Sequence, residues 1–321
     1  MHLTAYPRSV AVSSYNLAIE RMVGKLRQRD GVLSIFQIGN TNNAGISDFD
    51  MLVVFEDGAK CNLNPLEDLS KTDRYLFSHG LYGIYKTSFS ESHRYTFFHN
   101  YKLLWGEELP LSECDLSGEE IQALKTQIAL EYLVKMYVNM TVRSVYGIFS
   151  VIGLLRHVKA MKYDLEFLNI STGGLLDLIE TLVSWRDHWF ENKPTTQVLK
   201  IWIDDFYKQL SEFLRESLKT TKFYLPGWAN LRIARNITLV PSDHFGYVHK
   251  GITLPYFLGG LGRKYFNIQH RFNNFNFQIT IISQPIPGII EKRFEFLRQL
   301  KDRNNIELPH FMSMNSSLNI P

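Results

Sequence analysis

The sequence predicts an α/β (α+β) protein in three parts: a mixed sheet with helices over residues 1–112, a helical bundle over 113–225 and a small C-terminal α+β region over 226–321. Three observations predict it. Short apolar runs bounded by Gly, Asn and Asp dominate the first part, as strands require. From Ser117 onward apolar residues recur every three or four positions, the period of a buried helix stripe. After Pro226-Gly227 a two-residue alternation returns in Phe275, Phe277, Ile279 and Ile281.

The elements follow in order. Ser13 or Ser14 can cap a helix reaching residue 29, with Tyr15, Ile19, Met22, Val23 and Leu26 as its apolar stripe. Gly31 ends it, and Val32–Ile38 reads as a buried strand. A second apolar run begins at Asp48 and closes at the Asp57-Gly58 turn. Residues 59–73 are polar and suit a loop carrying a short helix, and residues 95–105 alternate toward a strand ending in Trp105-Gly106. Ser117 stands three residues before Glu120, the spacing of a capping box, ahead of a long stripe of Ile121, Leu124, Ile128, Tyr132, Met136 and Met140. Helical patterns resume through Arg156 and His157, over 175–189 and over 198–218. In the last part, residues 237–240 and 275–282 read as strands and 291–300 as a charged amphipathic helix, with a poorly ordered tail after Pro309.

Composition narrows the function classes. A chain of 321 residues with 45% hydrophobic and 21% charged residues can bury sizeable cores, and disorder is not its default. A net charge of +3 excludes a uniformly basic nucleic-acid binder and leaves room for a local patch. Cys61 and Cys114 are the only cysteines, which argues against a disulfide framework and for a reducing, cytoplasmic setting. Residues 1–8 lack the apolar core of a signal peptide. The most membrane-like stretch, residues 144–155, reaches only about 18 Å as a helix, so a buried helix is expected and no membrane span. His79, His93 and His99 have no zinc-ligand spacing, and no Gly-x-Ser-x-Gly elbow points to a hydrolase.

The chemistry concentrates in residues 35–55. A strand enters Gly39-Asn40, a polar loop follows, and the next strand begins Asp48-Phe49-Asp50. Strand alternation puts both carboxylates on one face and sends Phe49, Met51 and Val53 to the other. Two close carboxylates repel unless neutralised, and a hard cation such as Mg²⁺ does this well. Taken alone, Asp-x-Asp at a strand start also suits a solvated edge or turn.

This order of strand, Gly-polar turn, loop and Asp-x-Asp resembles the signature of the polymerase-beta-like nucleotidyltransferase superfamily, across roughly residues 12–112. The resemblance implies a nucleotidyltransferase-fold sheet in which Gly39, Asn40 and Ser47 hold the nucleotide, while Asp48 and Asp50 are catalytic and hold two Mg²⁺ ions. Asn40 stands where Ser is usual, and its amide still donates to phosphate. A third carboxylate is expected on a later strand; residues 80–85, which fit that strand, contain no acid, and Asp73 and Glu91 are the nearest candidates.

The implied reaction moves a nucleoside monophosphate from an NTP such as ATP to a hydroxyl acceptor, releasing pyrophosphate. The acceptor is open: a small molecule, a protein side chain or an RNA end. A catalytically inactive nucleotide-binding relative of the same fold is the alternative, and the missing acid argues for it. Arg143, Arg156 and Lys159 on the bundle either reach phosphate or form a solvated basic face, and Glu107 and Glu108 either edge the cleft or are plain loop acids. An RNA-binding module is the third reading. It rests on the acid-free stretch 244–290, which carries Lys250, Arg263, Lys264, Arg271 and many aromatics, with a glycine-rich turn at 259–262.

Overall fold

The first strand, β1 (His2–Thr4), lies parallel to β6 (Ile148–Ser150), far along the chain, with Leu3 opposite Phe149. A computed structural model describes residues 1–61, 64, 66–78, 80–97, 100–229, 231–255, 257–258, 263–302 and 306–309. The protein is a mixed α+β structure. Its chain divides into two compact units, one comprising Pro7–Gly118 with Glu295–Asn315, the other Met1–Tyr6 with Glu119–Phe294 and Ser316–Pro321.

The unit around Pro7–Gly118 is built on a four-stranded mixed sheet. Helix α1 (Val12–Leu26) precedes β2 (Val32–Ile38) and β3 (Asp50–Phe55), which pair antiparallel. Helix α2 (Lys71–Leu76) leads to β4 (Tyr82–Tyr85), parallel to β3; α3 (Lys86–Ser92) leads to β5 (Tyr101–Gly106), antiparallel to β2. The strand order is β4-β3-β2-β5. Five of the six β3 residues are buried, as a central strand covered on both faces requires. On one face Tyr15, Ala18, Met22 and Leu26 of α1 pack on Ile35, Phe49, Met51, Val53 and Phe55. On the other, Phe89 of α3 stacks on Phe36 with centroids 5.3 Å apart and meets Tyr101 edge-on at 5.5 Å. The chain returns late: Ile306 bridges to Cys61, and the Gly83 N–H donates to the Pro309 carbonyl at 3.0 Å. The strand expected over 95–105 is shorter, because Tyr95 ends a 3₁₀ turn and packs on Phe296 at 5.0 Å.

The other unit carries α4 (Gly118–Tyr146), α5 (Val151–Phe167), α6 (Gly174–Asp187) and α7 (Thr196–Thr220). The helix expected across 144–155 is broken. Gly147, at φ +68°, ends α4, and β6 intervenes before the Ser150 hydroxyl caps α5 by accepting from the Gly153 N–H at 3.2 Å. Helix α7 shows the expected stripe, burying Leu199, Ile203, Phe206, Leu210, Leu214 and Leu218.

A second four-stranded sheet completes this unit, from β7 (Arg232–Ala234), β8 (Ile237–Pro241), β9 (Gly246–Gly251) and β10 (Asn273–Ile279), in the order β7-β8-β10-β9. Phe275 and Phe277 point inward and meet Tyr146 and Tyr137 of α4 at 5.8 and 5.7 Å. Helix α8 (Arg263–Phe272) enters β10, and α9 (Gly288–Asp302) follows it; the short strands β7 and β9 and the helix α8 lie outside the sequence expectation. No described helix is long and apolar enough to cross a membrane. The glycine-rich turn at 259–262, His79, His99 and the tail from residue 310 lie outside the described residues.

Candidate functional site

The turn and the aspartates meet at one end of the first sheet. Ile38, the last residue of β2, is paired with Asp50, the first of β3, so the chain leaves β2 at Gly39 beside that carboxylate. Gly39 has φ +73°, a conformation glycine adopts without steric cost, and no atom lies within 4 Å of where its Cβ would be. Asp48 and Phe49 fall just before the first ladder residue, yet alternation already holds there. Phe49 is fully buried, with its ring 5.1 Å from Tyr15 and 5.2 Å from Phe77, while Asp48 and Asp50 remain partly exposed. The Phe49 N–H donates to the Leu76 carbonyl at 2.9 Å, which pins the segment at its buried residue.

Two tyrosines hold the loop from Asn40 to Ser47. The Tyr15 hydroxyl donates to the Ser47 carbonyl at 2.7 Å and accepts the Gly45 N–H at 2.8 Å. The Tyr75 hydroxyl donates to the Gly45 carbonyl at 2.5 Å. Ser47 itself is 5% exposed, and its N–H donates to the Asn43 carbonyl at 2.8 Å. Asn40 is exposed, and its Oδ1 accepts from the Asn42 N–H at 3.4 Å. The loop is thus anchored underneath, and its exposed residues are Asn40, the amide the sequence singled out, and Asn42.

Two side chains that sequence reasoning passed over, Ser78 and Tyr82, lie near the aspartates. The Ser78 hydroxyl donates to Asp48 Oδ2. Tyr82, the first residue of β4 and the neighbour of Leu52, is 8% exposed. Burial, and then the negative charges of Asp50 and Asp48, push its phenol well above the ordinary tyrosine range, so the phenol stays protonated within electrostatic reach of both carboxylates. Tyr101 opens β5 opposite Ile38, and burial raises its phenol likewise. Tyr82 lies within residues 80–85, where no acid was found; its hydroxyl was the available signal.

The candidates for a third carboxylate are engaged or exposed elsewhere. Asp73, 5% exposed, forms an ion pair with Arg21 at 2.6 Å, and Glu91 is exposed on α3. Among the described residues no group of three or more His, Cys, Asp or Glu could hold a metal. Two carboxylates suit one Mg²⁺, which ordinarily takes one or two from protein and fills its sphere with water and phosphate oxygens. Glu107 and Glu108 are exposed after β5, and the Glu107 carbonyl accepts from the Ser34 hydroxyl at 2.6 Å. In the other unit Lys159 pairs with Asp187 at 3.4 Å, Arg143 lies over the Phe266 ring at 5.6 Å, and Arg156 is half-buried.

No family model, curated protein or solved structure matches the chain.

Proposed function

We propose that the Gly39 turn and the Asp48–Asp50 pair form a Mg²⁺-dependent NTP site, and that the chain transfers a nucleoside monophosphate to a hydroxyl acceptor with release of pyrophosphate. One observation carries this reading: Asp48 and Asp50 leave the core on either side of buried Phe49, next to an open positive-φ glycine turn. The resemblance of this segment to polymerase-beta-like nucleotidyltransferases supports it. Gly39 gives phosphate close access to backbone, and the exposed Asn40 amide has donors to offer it. Ser78 orients Asp48, and the Tyr82 phenol, kept protonated by burial, lies within electrostatic reach of both carboxylates. Mg²⁺ bound there would offset charge on the triphosphate and lower the pKa of the attacking hydroxyl. Free thiols at Cys61 and Cys114 suit a cytoplasmic setting.

A second reading has its own support. With a phenol on β4 and two carboxylates among its described residues, the site also suits a protein that binds nucleotide without transferring it. The two separate when radiolabelled NTPs are incubated with cell extract and either wild type or Asp50→Asn. Transfer predicts labelled acceptor and pyrophosphate from wild type, reduced roughly a thousandfold in the variant. Equal background release from both proteins supports binding alone, and undiminished transfer by Asp50→Asn removes Asp50 from the site.

A further inference from the structure

We infer that the outer face of the β7-β8-β10-β9 sheet is a binding surface for single-stranded RNA, with one nucleotide seated in the groove at the β7–β8 end. The sequence between Pro226 and Ile290 holds Asp243 as its one acid against Arg232, Arg235, Lys250, Arg263, Lys264 and Arg271. With a whole-chain charge of only +3, the positive excess lies in this segment. The sheet distributes it unevenly. Inward positions on β8 and β10 are buried and, Asn273 apart, apolar; outward ones are Thr238 and Val240 on β8, and Asn274, Asn276 and Gln278 on β10. Lys250 sits beside Asn274 on one side, and Arg232 beside Thr238 on the other.

A groove of about 410 Å³ opens on this face, lined by Arg232, Arg235, Asn236, Thr238, Asn274 and Asn276, with no acid among its described residues. That volume suits a nucleotide-sized group. Asn236 anchors this edge of the sheet from beneath. It is 5% exposed, and its Nδ2 donates to the Asn273 carbonyl at 2.9 Å and to the Tyr146 hydroxyl at 3.3 Å. The carbonyl partner fixes which end of the amide is the nitrogen, so the opposite atom is an acceptor. That acceptor, Oδ1, is buried and has no hydrogen-bond partner among the described residues.

Exposed Arg232 and Arg235 call for an occupant that brings negative charge. A nucleotide brings a phosphate to the two arginines and a base edge to the carboxamides of Asn274 and Asn276. RNA adds the 2′-hydroxyl, a donor DNA lacks. Beyond the groove, the carboxamides of Asn274, Asn276 and Gln278 repeat every second residue, about 6.8 Å apart along β10. Such a row continues the groove as a track, each amide able both to donate to and accept from an unpaired base edge. A strand laid along it would meet carboxamides under its bases and cations beside its phosphates.

Fluorescence anisotropy with labelled single-stranded RNA oligomers tests this in EDTA without nucleotide, so that the Asp48–Asp50 site is not what is read. Wild type should bind single-stranded RNA more tightly than DNA of the same sequence, duplex RNA or heparin. Arg232→Ala/Arg235→Ala should weaken binding about ten- to a hundredfold and flatten the salt dependence by roughly 0.7 for each phosphate no longer neutralised. Both arginines are exposed, and unchanged far-UV circular dichroism checks that the fold survives. Asn274→Asp/Asn276→Asp, which adds negative charge on exposed positions only, should weaken RNA binding as well. No binding by wild type, equal binding of DNA, duplex or heparin, or full binding by either double variant would overturn the assignment.

Discussion

Arg293→Met should destabilise the α4–α9 packing more than any exposed substitution. The Arg293 and Glu131 side chains are both 0% exposed, joined Nη1 to Oε1 at 2.7 Å and Nη2 to Oε2 at 3.0 Å. Glu131 Oε1 also accepts from Gln127 Nε2 at 2.9 Å, and Gln127 in turn holds the Tyr224 backbone through bonds of 2.9 and 3.1 Å. Removing the guanidinium strands a buried carboxylate, a loss of about 3–5 kcal/mol. At roughly 2–4 °C per kcal/mol for a domain of this size, Tm should fall by about 6–20 °C. Glu131→Leu should be comparably costly, because it strands the arginine instead. The double variant Glu131→Leu/Arg293→Met strands neither, and it should recover to within about 1–2 kcal/mol of wild type. Urea denaturation of the four proteins, followed by circular dichroism, closes the cycle. Single-variant losses below about 1 kcal/mol, or losses that simply add in the double, would refute this reasoning.

Asp164 is 5% exposed with no partner for Oδ2 among the described residues, and burial holds its carboxyl well above the usual range. A raised folded pKa means the stability it contributes is full below the unfolded value and is lost as pH rises through the folded one, so Asp164→Asn should gain about 1–3 kcal/mol near pH 8 and almost nothing near pH 4. Thermal melts at the two pH values read this directly, and an equal gain at both would contradict it. Gly106→Ala places a methyl against the Leu33 carbonyl and 2.8 Å from Ser34 Cα at φ +94°, so the β2–β5 edge should lose about 2–4 kcal/mol, visible in the same melts.

Periodicity was informative wherever one face of an element met a core. Val32–Ile38 has the same bounds in sequence and structure, and the α7 stripe follows its spacing, because burial alone selects those residues. Apolar length misled at 144–155, where Gly147 adopts a left-handed conformation and a distant segment, His2–Thr4, supplies a strand partner. A pairing across so many residues leaves no local mark. Strands β7 and β9 escaped for a related reason: with outward Arg232, Val248 and Lys250 on a solvated face, their alternation is weak. At the candidate site, Phe49 between two aspartates was legible because a core residue must turn away from charged neighbours. The approach of Ser78 and Tyr82 to that pair was not, since it depends on how α2 and β4 return to β3.

Calorimetric titration of ATP, GTP, CTP and UTP, with Mg²⁺ and with EDTA, into wild type and Asp50→Asn tests the central claim most directly. The Asp48–Asp50 pair beside the Gly39 turn predicts that wild type binds at least one NTP only when Mg²⁺ is present, and that Asp50→Asn loses this Mg²⁺-dependent component. Its fold should persist, because relieving repulsion between close carboxylates favours the metal-free state. Binding that is equal with and without Mg²⁺ for every nucleotide, or Mg²⁺-dependent binding that Asp50→Asn keeps in full, would contradict it.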